Sequence, residues 1–258
     1  MELGLKGKIV LITGGSKGIG LACAKAFRSE GARLALVSRS SANLEKARSE
    51  LGDAYTVAAD LIDAAAAAAM VEQVESKLGP IDILVNSAGA AKRTSADDLN
   101  PAAWRAAMDA KYFSYINVID PVIKRMAARG RGAIVNVIGH GGKVPSPIHL
   151  PGGSANAALM LATAGLANAY AHRGVRVVGV NPGLTKTDRV AEGLKAEAKR
   201  SGVSEEEALK RAVQNLPMGR LAEAGEIADV VVFAASDRGR FLTGANITMD
   251  GASSPTVA

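Results

Sequence analysis

The chain has 258 residues, 48% of them hydrophobic and 22% charged, which is ordinary globular usage and fits one large α/β domain on a loose prior of ~150 residues per domain. A single cysteine, Cys23, excludes an internal disulfide and a thiolate metal cluster, and His140, His149 and His172 lack the spacing of a zinc site. The net charge of +6 is scattered. Between positions 186 and 211 Lys and Arg alternate with Asp188, Glu192, Glu197 and Glu205 to Glu207, a solvated helix surface rather than a nucleic-acid patch. No apolar run reaches the ~18 residues of a membrane helix, and positions 6–8 run into a strand with no leader-like hydrophobic region. A cytoplasmic protein with neither nucleic acid nor membrane as partner is expected.

In chain order, β-rich runs at 8–12, 33–38, 55–58, 81–86, 132–138, 175–180 and 246–249 alternate with helical patterns at 18–30, 42–51, 63–78, 101–129, 153–172 and 223–236. This alternation predicts a doubly wound parallel sheet of about seven strands with helices on both faces. The strands' Val, Ile and Leu content suits burial on both faces. The alanine run at 64–69 is helix-forming sequence. A charged helical insertion at 187–217 precedes the last strand. Ligands of such sheets sit beyond the carboxyl ends of the strands, so the insertion is expected to form a lid over a single domain spanning 1–258.

Between the first strand and the first helix runs Thr13-Gly14-Gly15-Ser16-Lys17-Gly18-Ile19-Gly20. Glycines at 14, 18 and 20 permit a tight turn and let backbone amides approach a pyrophosphate at a helix N-terminus. The spacing T-G-x-x-x-G-x-G resembles that of short-chain dehydrogenases/reductases, and other segments resemble the family in order. Asp60-Leu61 is similar to its adenine-contacting pair, and Asn86-Ser87-Ala88-Gly89 to the segment closing its fourth strand. Asn181-Pro182-Gly183 with Thr185 and Thr187 resembles the nicotinamide-holding segment, and 243–251 the family's last strand. The resemblance spans about the whole chain and implies a Rossmann-type fold, a dinucleotide cofactor and a homotetramer or dimer.

The second strand ends Val37-Ser38-Arg39-Ser40, without the carboxylate that would accept hydrogen bonds from a ribose 2′-hydroxyl. Arg39 and Lys17 suit a 2′-phosphate, which favours NADP(H) over NAD(H).

The family's usual Asn, Ser, Tyr and Lys tetrad is not found. Tyr55, Tyr112, Tyr115 and Tyr170 all lack a lysine four residues on. The family register puts Lys111 at the asparagine position, Gly139 at the serine, Gly152 at the tyrosine and Asn156 at the lysine, as if Lys and Asn had exchanged places. Unpaired burial of an ammonium is costly, so Lys111 either pairs inside the protein, titrates, or snorkels to solvent. Lys111 is the first candidate for the polar group at the reacting centre and His140, among Gly139, Gly141 and Gly142, the second. His140 as a structural histidine is the competing reading. Lys143 and His149 lie in the following loop, and Tyr112, Phe113 and Tyr115 read as core or interface packing. Three functions compete: an NADP(H)-dependent oxidoreductase acting on a small carbonyl or alcohol, a lyase, hydratase or isomerase reusing the pocket, and a non-catalytic nucleotide-binding protein. Intact cofactor segments favour the first.

Overall fold

The computed structural model describes residues 2–89 and 93–254. Seven strands form one parallel sheet: β1 (Ile9–Thr13), β2 (Arg33–Ser38), β3 (Ala54–Ala58), β4 (Ile83–Asn86), β5 (Gly132–Val137), β6 (Val175–Pro182) and, last in the chain, Asn246–Met249. The spatial order is β3-β2-β1-β4-β5-β6 followed by that last strand. The order reverses between β1 and β4, which opens a crevice at their carboxyl ends.

Strand residues alternate between two cores, as the period of two requires. Val10, Ile12, Leu34, Leu36 and Val85 face α1 (Gly18–Ser29) and α2 (Ser41–Leu51), through Phe27 and Leu44. Leu11, Ala35, Leu84 and Ile134 face α3 (Ala64–Leu78), through Met70 and Val74. Each large apolar side chain fully buried this way contributes roughly 1.5–3 kcal/mol. Cys23 lies in the first core, and its burial pushes the thiol up to about 12, so it offers no thiolate chemistry.

The helix expected over 101–129 is interrupted. α4 (Pro101–Ala107) starts at the Asn100 cap, passes into a π-helical segment over Met108–Phe113, and resumes as α5 (Ser114–Ala128). Such wide turns are rare and often lie at functional sites. α6 (Leu150–Tyr170) begins three residues before the expected start, because Pro151 fits the first turn of a helix. Gly152 therefore sits inside its first turn.

The 187–217 insertion is helical, as α7 (Asp188–Ser201) and α8 (Glu205–Gln214). A feature the sequence did not announce pins its two ends. β7 (Thr185–Lys186) pairs in parallel with β8 (Ala222–Glu223), with Thr185 opposite Ala222. α9 (Ala224–Ala235) then packs against α1, and β9 (Asn246–Met249) completes the sheet beside β6.

A buried polar chain crosses three strands near their carboxyl ends. Thr13 Oγ1 donates to Asn86 Oδ1 at 3.2 Å, Asn86 Nδ2 to Asn136 Oδ1 at 3.0 Å, and Asn136 Nδ2 to Thr163 Oγ1 on α6 at 3.0 Å. Asn136→Ala strands the Asn86 amide without its acceptor and opens a small void. We expect it to cost about 2–4 kcal/mol, read as a lower melting temperature. An unchanged melting temperature would show that this chain braces nothing.

Candidate active site

The glycine loop closes onto β4. Gly14 has φ +66°, and a Cβ there would stand 2.7 Å from the Ser87 carbonyl, so only glycine lets the loop lie this close. A Cβ on Gly20 would stand 2.2 Å from the Gly14 carbonyl, so glycine also lets α1 start directly behind the loop. Thr13 Oγ1 accepts from the amides of Ser87 and Ala88 at 3.2 and 3.3 Å. The side chains of Thr13 and Asn86 are thus spent inside the protein, fully buried, and serve to hold the backbone around them.

Whether these residues suit a dinucleotide phosphate is decided at the start of α1. Its cap, Lys17, makes no side-chain hydrogen bond to the helix, whereas Ser40, Asp63 and Asn100 cap the helices that follow them. The first-turn amides of 18–20 lack a side-chain cap, and the positive end of the helix dipole is left to an anion. Gly18, at φ +53°, lies against Thr187, whose Cγ2 is 3.4 Å from a Cβ built there, so the loop and the 185–187 segment flank one cleft. Lys17 and Arg39 are both exposed beside it. Ser38 Oγ accepts from Ser40 N at 3.4 Å and Ser40 Oγ from Asn43 N at 3.3 Å, which shapes the turn that carries Arg39. Asp60 is exposed and Leu61 buried. The residues fit a phosphorylated dinucleotide.

Deeper in the cleft, Gly89 has φ +88°, and a Cβ there would stand 2.1 Å from the Ala110 carbonyl, so the end of β4 lies directly on the π-helical segment. Next to Ala110 is Lys111, only 8% exposed. Its ammonium does not snorkel. Lys111 Nζ donates to Tyr115 Oη at 2.9 Å and to the Val137 carbonyl at 3.1 Å, and lies 4.6 Å from the Tyr115 ring centroid. Tyr115 Oη donates to the same carbonyl at 2.6 Å. Tyr115 was expected in packing and is fully buried in the core, but its hydroxyl is tied to the one cation of that wall named from sequence.

Beyond Val137 the chain turns at Gly139, φ +131°, and a Cβ there would lie 3.2 Å from Asn156 Nδ2. A Cβ on Gly141 would lie 3.7 Å from both Asn156 Nδ2 and His149 Cδ2. Gly139, Gly141, His149 and Asn156 therefore meet, and the π segment also packs on α6. His140 is half-buried with Nδ1 3.3 Å from the Pro182 carbonyl. When neutral with the proton on Nδ1, it keeps Nε2 as an acceptor. Lys143 turns away, its Nζ 3.3 Å from Thr248 Oγ1 on β9. Sequence reasoning named Asn181 only as part of the segment resembling the nicotinamide-holding one and gave its side chain no role; both of its amide atoms are buried with no hydrogen-bond partner among the described residues. Among the described residues no group of His, Cys, Asp or Glu could hold a metal ion, and no helix is long and apolar enough to cross a membrane.

The family profile of the short chain dehydrogenases matches residues 8–198. The chain belongs to this family. It is 34% identical to galactitol 2-dehydrogenase (L-tagatose-forming) of Cereibacter sphaeroides over 96% of this chain and 95% of that protein. The L-sorbose reductase of Gluconobacter frateurii, solved with NADPH and L-sorbose, superposes with a TM-score of 0.94 at 30% identity over 100% of both chains. An NADPH-bound short chain oxidoreductase of Pseudomonas aeruginosa PAO1, described as containing an atypical catalytic center, superposes at 0.87 with 29% identity over 97% of this chain and 98% of that one. The parallel sheet and its helices are those of this family, and the chain is an oxidoreductase of its type.

Proposed function

We propose that the protein is an NADP(H)-dependent reductase or dehydrogenase of a small carbonyl or alcohol, working from an active site in which none of the four usual tetrad residues is retained. The observation that carries this reading is the Lys111 ammonium, held by Tyr115 and Val137 at the wall of the cleft that the glycine loop opens. When bound, NADPH supplies the hydride. Lys111 donates a hydrogen bond, then a proton, to the substrate oxygen on which negative charge develops, and the low-dielectric setting strengthens that interaction. Asn156 Nδ2, beside Gly139, offers a further donor to the same pocket. His140 is the second candidate for moving a proton, through Nε2. Lys17 and Arg39 hold the 2′-phosphate, and NADPH in the Gluconobacter and Pseudomonas neighbours supports that choice. The atypical catalytic center of the Pseudomonas protein supports an atypical site in a second member of the family.

The domain is single, and α7 and α8 close over the substrate as a lid, hinged where β7 meets β8. The setting is cytoplasmic. The test is direct: purified protein is mixed with NADPH and a panel of small ketones, ketoses and aldehydes while NADPH absorbance is followed. Consumption with at least one member is expected, weaker for simple ketones than ordinary relatives give. No consumption with any of them, and none in the reverse direction with NADP and alcohols, would leave the non-redox and non-catalytic functions.

The protein assembles as a homotetramer, or at least a dimer. Exposed Leu161 on α6 and Phe113 beside α5 supply apolar surface for one two-fold contact, and exposed Phe233 and Phe241 near α9 for another. Light scattering at micromolar concentration is expected to give a multiple of the 26.4 kDa chain mass. A monomer mass would refute the assembly.

A further inference from the structure

We infer that Tyr115 is a positioning residue for the Lys111 ammonium, so that the lysine–tyrosine pair of this active site stands on the π segment and α5 rather than on α6. The inference deepens the proposed function and rests on its reading of Lys111. Tyr115 is fully buried in the apolar core that also holds Ile134, Ile138 and Leu159, a setting that a phenylalanine would suit equally well. A hydroxyl there is costly unless it is hydrogen-bonded. It joins a cation to a carbonyl: it accepts from Lys111 Nζ at 2.9 Å and donates to Val137 O at 2.6 Å. Lys111 Nζ also donates to Val137 O at 3.1 Å, which closes a triangle two residues before the Gly139 turn.

The triangle has a physical purpose. A lysine ammonium is a point charge on a flexible four-carbon stem, and catalysis requires it within a few tenths of an ångström of one place. Two fixed anchors, Tyr115 Oη and the Val137 carbonyl, supply that restraint. The residues are four apart, so their side chains share one helix face, and the segment over Met108–Phe113 aims that face at the end of β5. Tyr115 is enclosed, so it does not touch substrate. It acts through Lys111.

The test uses the full-length protein and the best substrate from the carbonyl panel. Tyr115→Phe keeps the ring and removes only Oη. We expect kcat to fall about tenfold or more, with KM, NADPH affinity and melting temperature near the parent's. If the two residues act as a unit, Lys111→Met combined with Tyr115→Phe is no slower than Lys111→Met alone. A crystal structure of Tyr115→Phe should show Nζ displaced from its parental position, or spread over several, with the Val137 carbonyl still within its reach. Parental kcat in Tyr115→Phe, multiplied losses in the double variant, or an unmoved Nζ would each overturn the inference. Lys111→Met with parental kcat removes the proposed role of Lys111 itself. Lys111→Met impaired beside a fully active Tyr115→Phe removes only the positioning role. If the panel yields no substrate, the position of Nζ in the two crystal structures decides.

Discussion

Lys111→Met is expected to lower kcat by about 10²–10⁴-fold, the range for loss of a positioned proton donor, while NADPH affinity stays at the parental value. Methionine matches the stem in length, and Tyr115 Oη keeps its bond to the Val137 carbonyl, so the substitution strands no buried donor. The melting temperature should therefore hold. His140→Ala should cost less, since its Nδ1 is engaged by the Pro182 carbonyl and only Nε2 can serve the pocket. Steady-state rates and cofactor titrations of both variants read these outcomes separately, a fall in kcat with unchanged cofactor binding assigning the chemistry. Full activity in both would place the proton source in substrate, water or another side chain.

Arg39→Asp is expected to reverse cofactor choice. In the parent, Arg39 and Lys17 stand exposed at the cleft and NADPH should bind more tightly than NADH. The substitution removes a charge-assisted pair, worth about 1.5–3 kcal/mol, and sets a carboxylate against the 2′-phosphate. A loss of NADPH affinity of roughly 10–100-fold follows, while NADH gains an acceptor for its 2′-hydroxyl. Because both cations are exposed, the parent's preference for NADPH should narrow as salt is raised. Fluorescence titration at two ionic strengths checks both statements. Equal affinities in the parent would remove the assignment of Arg39 and Lys17.

Both expectations began as sequence positions, and the structure treats them differently. Arg39 needed little from tertiary structure: its place follows from the end of β2, and an exposed cation there acts through its charge. Lys111 needed everything. Pairing, titration and escape to solvent were equally compatible with its place on a helix, and the packing of the π segment against the end of β5 chose pairing.

What the sequence by itself determined was local and repetitive. Alternating apolar runs and helical periods gave the seven strands and the doubly wound class, since side-chain periods of 2 and 3.6 are properties of the local backbone. The glycine spacing marked the loop between β1 and α1, because only glycine takes the turn at Gly14 and the close approach at Gly20. Tertiary structure decided whatever depends on residues distant in the chain. The β7–β8 pair brings together Thr185 and Ala222, two-residue strands too short to carry a pattern. The wide turns at Met108–Phe113 leave no mark in a stretch that holds neither glycine nor proline. The Tyr115 hydroxyl finds its purpose in Val137, 22 positions away, and a buried polar group is explained only by the partner that the fold delivers to it.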